Sequence, residues 1–195
     1  MSASPPEREL AQRIAEALDP RALPEVLAAY GRADPHRPLP PPEASVVLVG
    51  HRASGKSRIL PMVAQLLRRR AVDLDAEISR RAGRELREWV AADPRGFREA
   101  ERETFASLPP GLVVAAGGGF LALHADLLLG HVAVLVPVSF ETYRERLLAD
   151  ASRPRLRPEL SLEDEIRSVY EERERLHAER RPLPLAQLLR SAVGE

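Results

Sequence analysis

Ser45-Val46-Val47-Leu48-Val49-Gly50-His51-Arg52-Ala53-Ser54-Gly55-Lys56-Ser57 decides the architecture of this chain. Residues 46–49 are an unbroken aliphatic run, the composition of a strand buried on both faces. Gly50 to Ser57 then fit the pattern G-x-x-x-x-G-K-[ST]. Beyond them Ile59, Met62, Val63, Leu66 and Leu67 recur at helical spacing, which predicts a helix over 55–69 with a local distortion at Pro61. Strand, glycine loop and helix in that order make a phosphate cradle. Glycines let backbone N–H groups turn toward phosphate oxygens, and the helix N-terminus adds its positive end. Gly50, Ala53, Ser54, Gly55, Lys56, Ser57 and Arg58 are therefore candidate nucleotide ligands. Lys56 is placed to reach the β- and γ-phosphates of ATP, and Ser57 to ligate Mg²⁺.

The same lysine stands out in the composition. Basic residues number 29, and Lys56 is the only lysine among them. A compact ammonium on a flexible stem suits a cramped phosphate loop better than a broad guanidinium fork. Acidic residues also number 29, so the formal charge is zero and bulk attraction to nucleic acid or an anionic membrane is not expected. There is no cysteine, which excludes disulfides, thiol catalysis and cysteine-ligated zinc. No apolar run approaches a membrane span, and no signal-peptide pattern is found, so a cytoplasmic protein is expected; a monomer is expected as well. The histidines show no metal-binding spacing.

Outward from the loop, the chain divides into a helical N-terminal extension (1–34), a proline-rich linker (35–43) and a main domain (44–195). In the extension, Leu10, Ile14 and Leu18 share one helical face, and Leu23, Val26, Leu27 and Tyr30 give a second helix an apolar side. In the main domain, strands are expected at 71–74, 112–115 and 132–136. Helices are expected through 76–108 with breaks, at 121–129, at 140–149 and at 162–180. Strand alternating with helix implies a three-layer α/β/α domain with a central parallel sheet, whose ligands bind beyond the carboxyl ends of the strands.

Further candidates fall at such ends. Asp73 and Asp75 close the second strand, where alternation would put both carboxylates on one side of an extended backbone; one could hold Mg²⁺ through water and the other meet a substrate hydroxyl. Asp is equally at home as a helix N-cap. Arg98 and Glu101 are three apart on a helix and can pair, offering a guanidinium to a small carboxylate. Gly117-Gly118-Gly119 follows a strand directly and permits close backbone approach to a ligand. Arg153, Arg155 and Arg157 lie in a proline-punctuated loop that could close over a transferring phosphoryl group.

With these residues in order, the chain resembles the shikimate kinase family from Val46 to about Arg180. The ordered set is the phosphate loop, D-x-D at 73–75, I-x-x-R-x-G at 78–83, F-R-x-x-E at 97–101, G-G-G, R-P at 153–154 and a late arginine. The resemblance implies a P-loop kinase fold with a mobile lid, ATP and Mg²⁺ as cofactors, and transfer of the γ-phosphoryl group to the 3-hydroxyl of shikimate. By the same likeness, Lys56, Ser57 and Asp73 serve ATP-Mg²⁺, and Asp75 binds substrate hydroxyls and helps deprotonate the acceptor. Arg98, oriented by Glu101, and Arg173 bind the shikimate carboxylate. Gly118 gives a backbone contact, Arg146 lies against adenine, and Arg153 reaches the phosphates from the lid. Lys56, Asp75 and Arg153 are thereby the expected catalytic residues.

Departures from the family pattern are equally specific. Ala53 stands where glycine is usual, and Arg58 where threonine is usual. Arg155 replaces the first leucine of an R-P-L-L lid and is expected to face solvent. Residues 175–177 replace Pro-Leu-Tyr, and no last strand is evident within 181–195. Two other readings stay open: a kinase for another small hydroxy acid such as gluconate, and a non-catalytic binding or regulatory domain on the same scaffold.

Overall fold

The computed structural model describes residues 5–150 and 154–194. Five parallel strands form one sheet: β1 (Val46–Val49), β2 (Ala71–Asp73), β3 (Val113–Ala115), β4 (Val132–Leu135) and β5 (Leu183–Pro184), in the order β2-β3-β1-β4-β5. β1 is the central strand, pairing Val46 with Val113 on one side and with Val132 on the other. That position explains its composition, because all four of its side chains are buried.

Alternation along β1 feeds two cores. Val46 and Leu48 join Ile59 and Val63 of α3 (Lys56–Leu66) and Leu188 of α10 (Leu185–Val193). Val47 and Val49 join Leu74 and Ile78 of α4 (Leu74–Ala82), and Phe97 and Phe105 of α6 (Pro94–Ala106). The short helices α5 (Leu86–Ala92) and α7 (Phe120–Leu123) complete the second layer. A smaller cluster unites α8 (Phe140–Leu148) with α9 (Leu162–Arg180) through Tyr143, Leu147 and Ile166. The architecture is the expected three-layer P-loop kinase arrangement.

The N-terminal helices share the first core. α1 (Pro5–Ala17) packs on α3 and α10, burying Leu10 and Ile14, while α2 (Leu23–Arg32) packs on α10 through Val26. Leu27, expected on the apolar side of α2, is 56% exposed. Asp19, fully buried between the two helices, accepts hydrogen bonds from Ser139 N and Thr142 Oγ1, both at 2.7 Å, at the start of α8. The linker is tied down by Arg69, whose guanidinium donates to the carbonyls of Pro40, Pro41 and Ala44.

Two local expectations change, while α3 runs through Pro61 without a break. The helix expected over 121–129 is α7 followed by a 3-10 turn at Ala125–Leu128. A last strand does exist: β5 pairs with β4 and is only two residues long, ending in a proline that edge position tolerates.

Candidate active site

The phosphate loop connects β1 to α3 with three residues at positive φ: Gly50 at 133°, Ala53 at 62° and Gly55 at 95°. A Cβ on Gly50 would stand 2.6 Å from the Val136 carbonyl oxygen, so only glycine fits there. Ala53 holds the left-handed conformation that glycine takes freely, at a cost of roughly 1–2 kcal/mol. Lys56 folds back over the loop: Nζ donates to His51 O at 2.6 Å, to Gly50 O at 3.2 Å and to Ser54 Oγ at 3.3 Å. Ser57 Oγ donates to Asp73 Oδ2 at 2.5 Å. Arg146, from α8, donates through Nη1 to Ala53 O at 2.6 Å. Ala53, Gly55, Lys56, Ser57, Asp73, Arg146 and the exposed Arg58 line a cavity of about 560 Å³, whereas the expected ligands Gly50 and Ser54 lie behind its wall.

Asp73 and Asp75 do not share an extended backbone. Asp73 ends β2 and is the N-cap of α4, accepting from Ala76 N at 3.2 Å, so Asp75 lies in the first helical turn. The helix start still brings both carboxylates to this cavity. Asp75 is pushed up to about 6, first by burial, then by the charges of Glu101 and Asp73, with Lys56 and Arg98 opposing. A carboxyl poised there can exchange a proton near neutral pH.

A second cavity of about 300 Å³ adjoins the first and shares Arg52, Asp75, Gly117 and Gly118 with it. Arg98 donates to Glu101 Oε2 at 2.6 Å, as the spacing predicts. Glu101 is fully buried, and His124 Nε2 meets the same oxygen at 3.1 Å, a partner the sequence did not suggest. Gly117 leaves room for this carboxylate, since a Cβ there would stand 2.8 Å from Glu101 Oε1. Gly118 is packed against the phosphate loop, with Arg52 N 2.5 Å from a would-be Cβ. Arg173, on α9, donates through Nη1 to the Gly118 carbonyl. Burial holds its guanidinium below the ordinary arginine value, and the Arg52 and Arg98 charges add to the depression.

Of the expected lid, Arg153 lies outside the described residues. Arg155 does not simply face solvent. Its Nε donates to Glu165 Oε2 at 2.5 Å. Glu165 is fully buried and also accepts from Leu156 N at 3.0 Å, Arg157 N at 3.3 Å and Arg52 Nη2 at 3.1 Å. Burial pushes its carboxyl up, but these hydrogen bonds outweigh it and leave the value lowered. In sequence Glu165 is one of three acids in the first turn of α9, where acids are common. The signal that could have singled it out is its place beside Ile166, on the stripe that runs to Val169 and is buried.

His51, Glu174 and His177 also come together. His51 Nε2 lies 2.8 Å and His177 Nδ1 3.1 Å from Glu174 Oε1. These hydrogen bonds hold the Glu174 carboxyl down to about 2. A carboxylate only accepts, so both ring nitrogens carry their protons toward it. His51 Nδ1 is buried without a partner among the described residues. A cation on Nε2 would drive the proton to Nδ1, where nothing accepts it. The group reads as a hydrogen-bonded brace behind the phosphate loop.

Against known proteins, the family model described as shikimate kinase matches residues 52–188. A shikimate kinase from Synechococcus sp. (strain RCC307) is 35% identical over 172 residues, covering 83% of this chain and 84% of that protein. One from Microcystis aeruginosa is 33% identical over 140 residues, covering 69% of this chain and 73% of that protein. Among solved structures, the shikimate kinase from Acinetobacter baumannii in complex with shikimate superposes with a TM-score of 0.65 at 26% identity, covering 77% of this chain and 90% of the other.

Proposed function

The chain belongs to the shikimate kinase family, and from that premise we propose that it transfers the γ-phosphoryl group of ATP to the 3-hydroxyl of shikimate. The observation that carries this reading is the pair of adjoining cavities, one built on a phosphate loop and one furnished with Arg98 and Arg173, meeting at Asp75. The bound ligand of the Acinetobacter baumannii relative supports the choice of acceptor.

Each residue then has a physical task. Lys56 leaves its loop carbonyls to neutralise the β- and γ-phosphates, while loop N–H groups and the start of α3 hold their oxygens. Ser57 and Asp73 present a hydroxyl and a carboxylate 2.5 Å apart, hard oxygen donors that suit Mg²⁺ directly or through water. That ion would supply charge neutralisation on the phosphates. Arg146 closes the nucleotide end. Arg98, held by Glu101, and Arg173 grip the acceptor carboxylate from two sides, and the Gly117–Gly119 backbone lets the ring lie close. The acceptor oxygen forms its bond to the γ-phosphorus as the bond to the bridging oxygen breaks, and that electron pair leaves on ADP. The hydroxyl proton passes to Asp75. Arg153 is assigned to the phosphates from the lid. Positioning and charge neutralisation supply most of the acceleration.

The test is coupled ADP release over a panel of shikimate, quinate, gluconate and nucleoside monophosphates. Turnover confined to shikimate is expected. Turnover of gluconate alone would overturn the acceptor assignment, and no turnover with any acceptor would favour a binding domain.

A further inference from the structure

Arg52 occupies one of the unspecified positions of the phosphate-loop pattern, so the motif gives it no role. Among the described arginines lining either cavity, Arg52 alone lines both. Arg98 and Arg173 reach only the acceptor side, and Arg58 and Arg146 only the nucleotide side. Its backbone origin is fixed, because Arg52 N and Cα press on Gly118 closely enough to forbid a Cβ there. Its guanidinium is fixed as well. Nη2 donates to Glu165 Oε1 at 3.1 Å and Nη1 to Pro154 O at 3.2 Å.

That anchoring is incomplete. Arg52 Nε is buried with no hydrogen-bond partner among the described residues, in a group with five N–H donors. The charge account is incomplete too. Glu165 answers two guanidiniums, Arg52 and Arg155, with one negative charge. The Arg52 side chain is only 17% exposed, so the excess of positive charge beside Glu165 is largely shielded from water there and suits an anion that arrives at this boundary during turnover. In a phosphotransferase the anion that crosses from one cavity to the other is the transferring phosphoryl group.

We propose that Arg52 is a further catalytic residue, a ligand of the transferring phosphoryl oxygens, and that Glu165 is the positioning residue holding its guanidinium between the cavities. Glu165 also gathers the backbone of Leu156 and Arg157, so one buried carboxylate sets both the loop cation and the acceptor-cavity wall to which Pro154 and Leu156 contribute. This assignment rests on the phosphotransfer reading above. It differs from the roles of Arg98 and Arg173 in its ligand, which is phosphate rather than carboxylate.

The experiment compares binding of shikimate with binding of 3-phosphoshikimate by calorimetry, alongside steady-state kinetics and melting, for wild type, Arg52→Met, Arg52→Gln and Glu165→Gln. Arg52→Met should weaken 3-phosphoshikimate at least about tenfold, leave shikimate within about threefold, and lower kcat by about 10²-fold, as loss of one preorganised donor does. Arg52→Gln, which keeps a polar partner for Glu165, should fold normally and show the same split. Glu165→Gln should repeat the split more weakly. Equal weakening of both ligands would overturn the proposal by placing Arg52 on the carboxylate or the pocket wall. Retained kcat with a lowered melting temperature would overturn it by leaving only a structural brace. If wild type prefers another acceptor, that acceptor and its phosphate ester replace the pair, so a wrong acceptor and a wrong Arg52 role give different results.

Discussion

The imidazole of His51 lies flat on the phenol ring of Tyr170, with 4.3 Å between centroids and 8° between planes. One ring belongs to the phosphate loop and the other to α9. The Tyr170 hydroxyl donates to Val138 O at 3.0 Å, so the stack is itself fixed to the segment leading into α8. α9 also carries Glu165, Arg173 and Glu174, which reach Arg52, Gly118 and His51. A single helix therefore references both cavities to the loop.

Lys56→Ala is expected to abolish phosphoryl transfer. It also removes a donor to Gly50 O and to His51 O, of which His51 O keeps Ser54 N at 3.3 Å, so stability should fall by about 1–3 kcal/mol without loss of the fold. Lys56→Arg should fail as well, because the planar fork does not enter the loop. Steady-state turnover and melting check this; near-normal turnover in either variant would remove the phosphate-loop mechanism.

Arg98→Ala should raise the shikimate KM by the equivalent of about 2–5 kcal/mol while the ATP KM changes little, since one side of a charge-assisted pair is lost. Glu101 is a different matter. Its carboxylate is fully buried with Arg98 and His124, so Glu101→Ala strands a partly buried guanidinium and should cost about 3–5 kcal/mol of stability. Glu101→Gln keeps an acceptor and should be milder. Equal effects of Arg98→Ala on both substrates would contradict the assignment.

Asp75 sets a pH dependence. Its folded value of about 6 exceeds the ordinary 3.8, so the folded state binds this proton more tightly than the unfolded chain does. Stability from this group is present below about pH 4, declines as pH rises to about 6, and is constant above. Asp75→Asn should accordingly stabilise the free protein at pH 7–8 by on the order of 2–3 kcal/mol, with no difference at pH 4. Turnover should fall by roughly 10²-fold or more, and wild-type kcat/KM should lose activity on the acid side near pH 6. Denaturant titrations at both pH values decide; a destabilised Asp75→Asn at pH 8 would be the contrary result.

Arg155→Leu restores the residue that the shikimate kinase pattern usually carries, and from sequence it should be neutral or beneficial. The bond to buried Glu165 reverses that expectation. Losing one hydrogen bond to a charged partner should lower stability by about 1.5–3 kcal/mol, with kcat reduced less than in Arg52→Met. A melting temperature at or above wild type would show that the ion pair adds nothing.

The features legible in sequence are those set by neighbouring residues. The aliphatic run at 46–49 and the glycine pattern after it place β1, the loop and α3, and the helix expected over 162–180 is α9. Asp73 and Asp75 reach the nucleotide cavity by a geometry that strand alternation does not suggest, because the chain turns from strand to helix between them and an N-cap aspartate looks the same in either reading. β5 escaped because two residues carry no period. The Arg52–Glu165 and His51–Glu174 contacts join positions 113 and 123 apart. No local pattern encodes such pairs, and an acid in the first turn of a helix gives no sign of which cation it will meet.

The ammonium of Lys56 sits inside the loop, bonded to two carbonyls and a hydroxyl, and no other lysine exists in the chain. Its environment must change when phosphate oxygens replace those carbonyls. Selective isotope labelling of lysine would therefore give one side-chain resonance that reports nucleotide occupancy directly. An amine-acylating reagent would likewise have one side-chain target, distinguishable from the terminal amine by mapping the modified peptide and shielded whenever the cavity is filled.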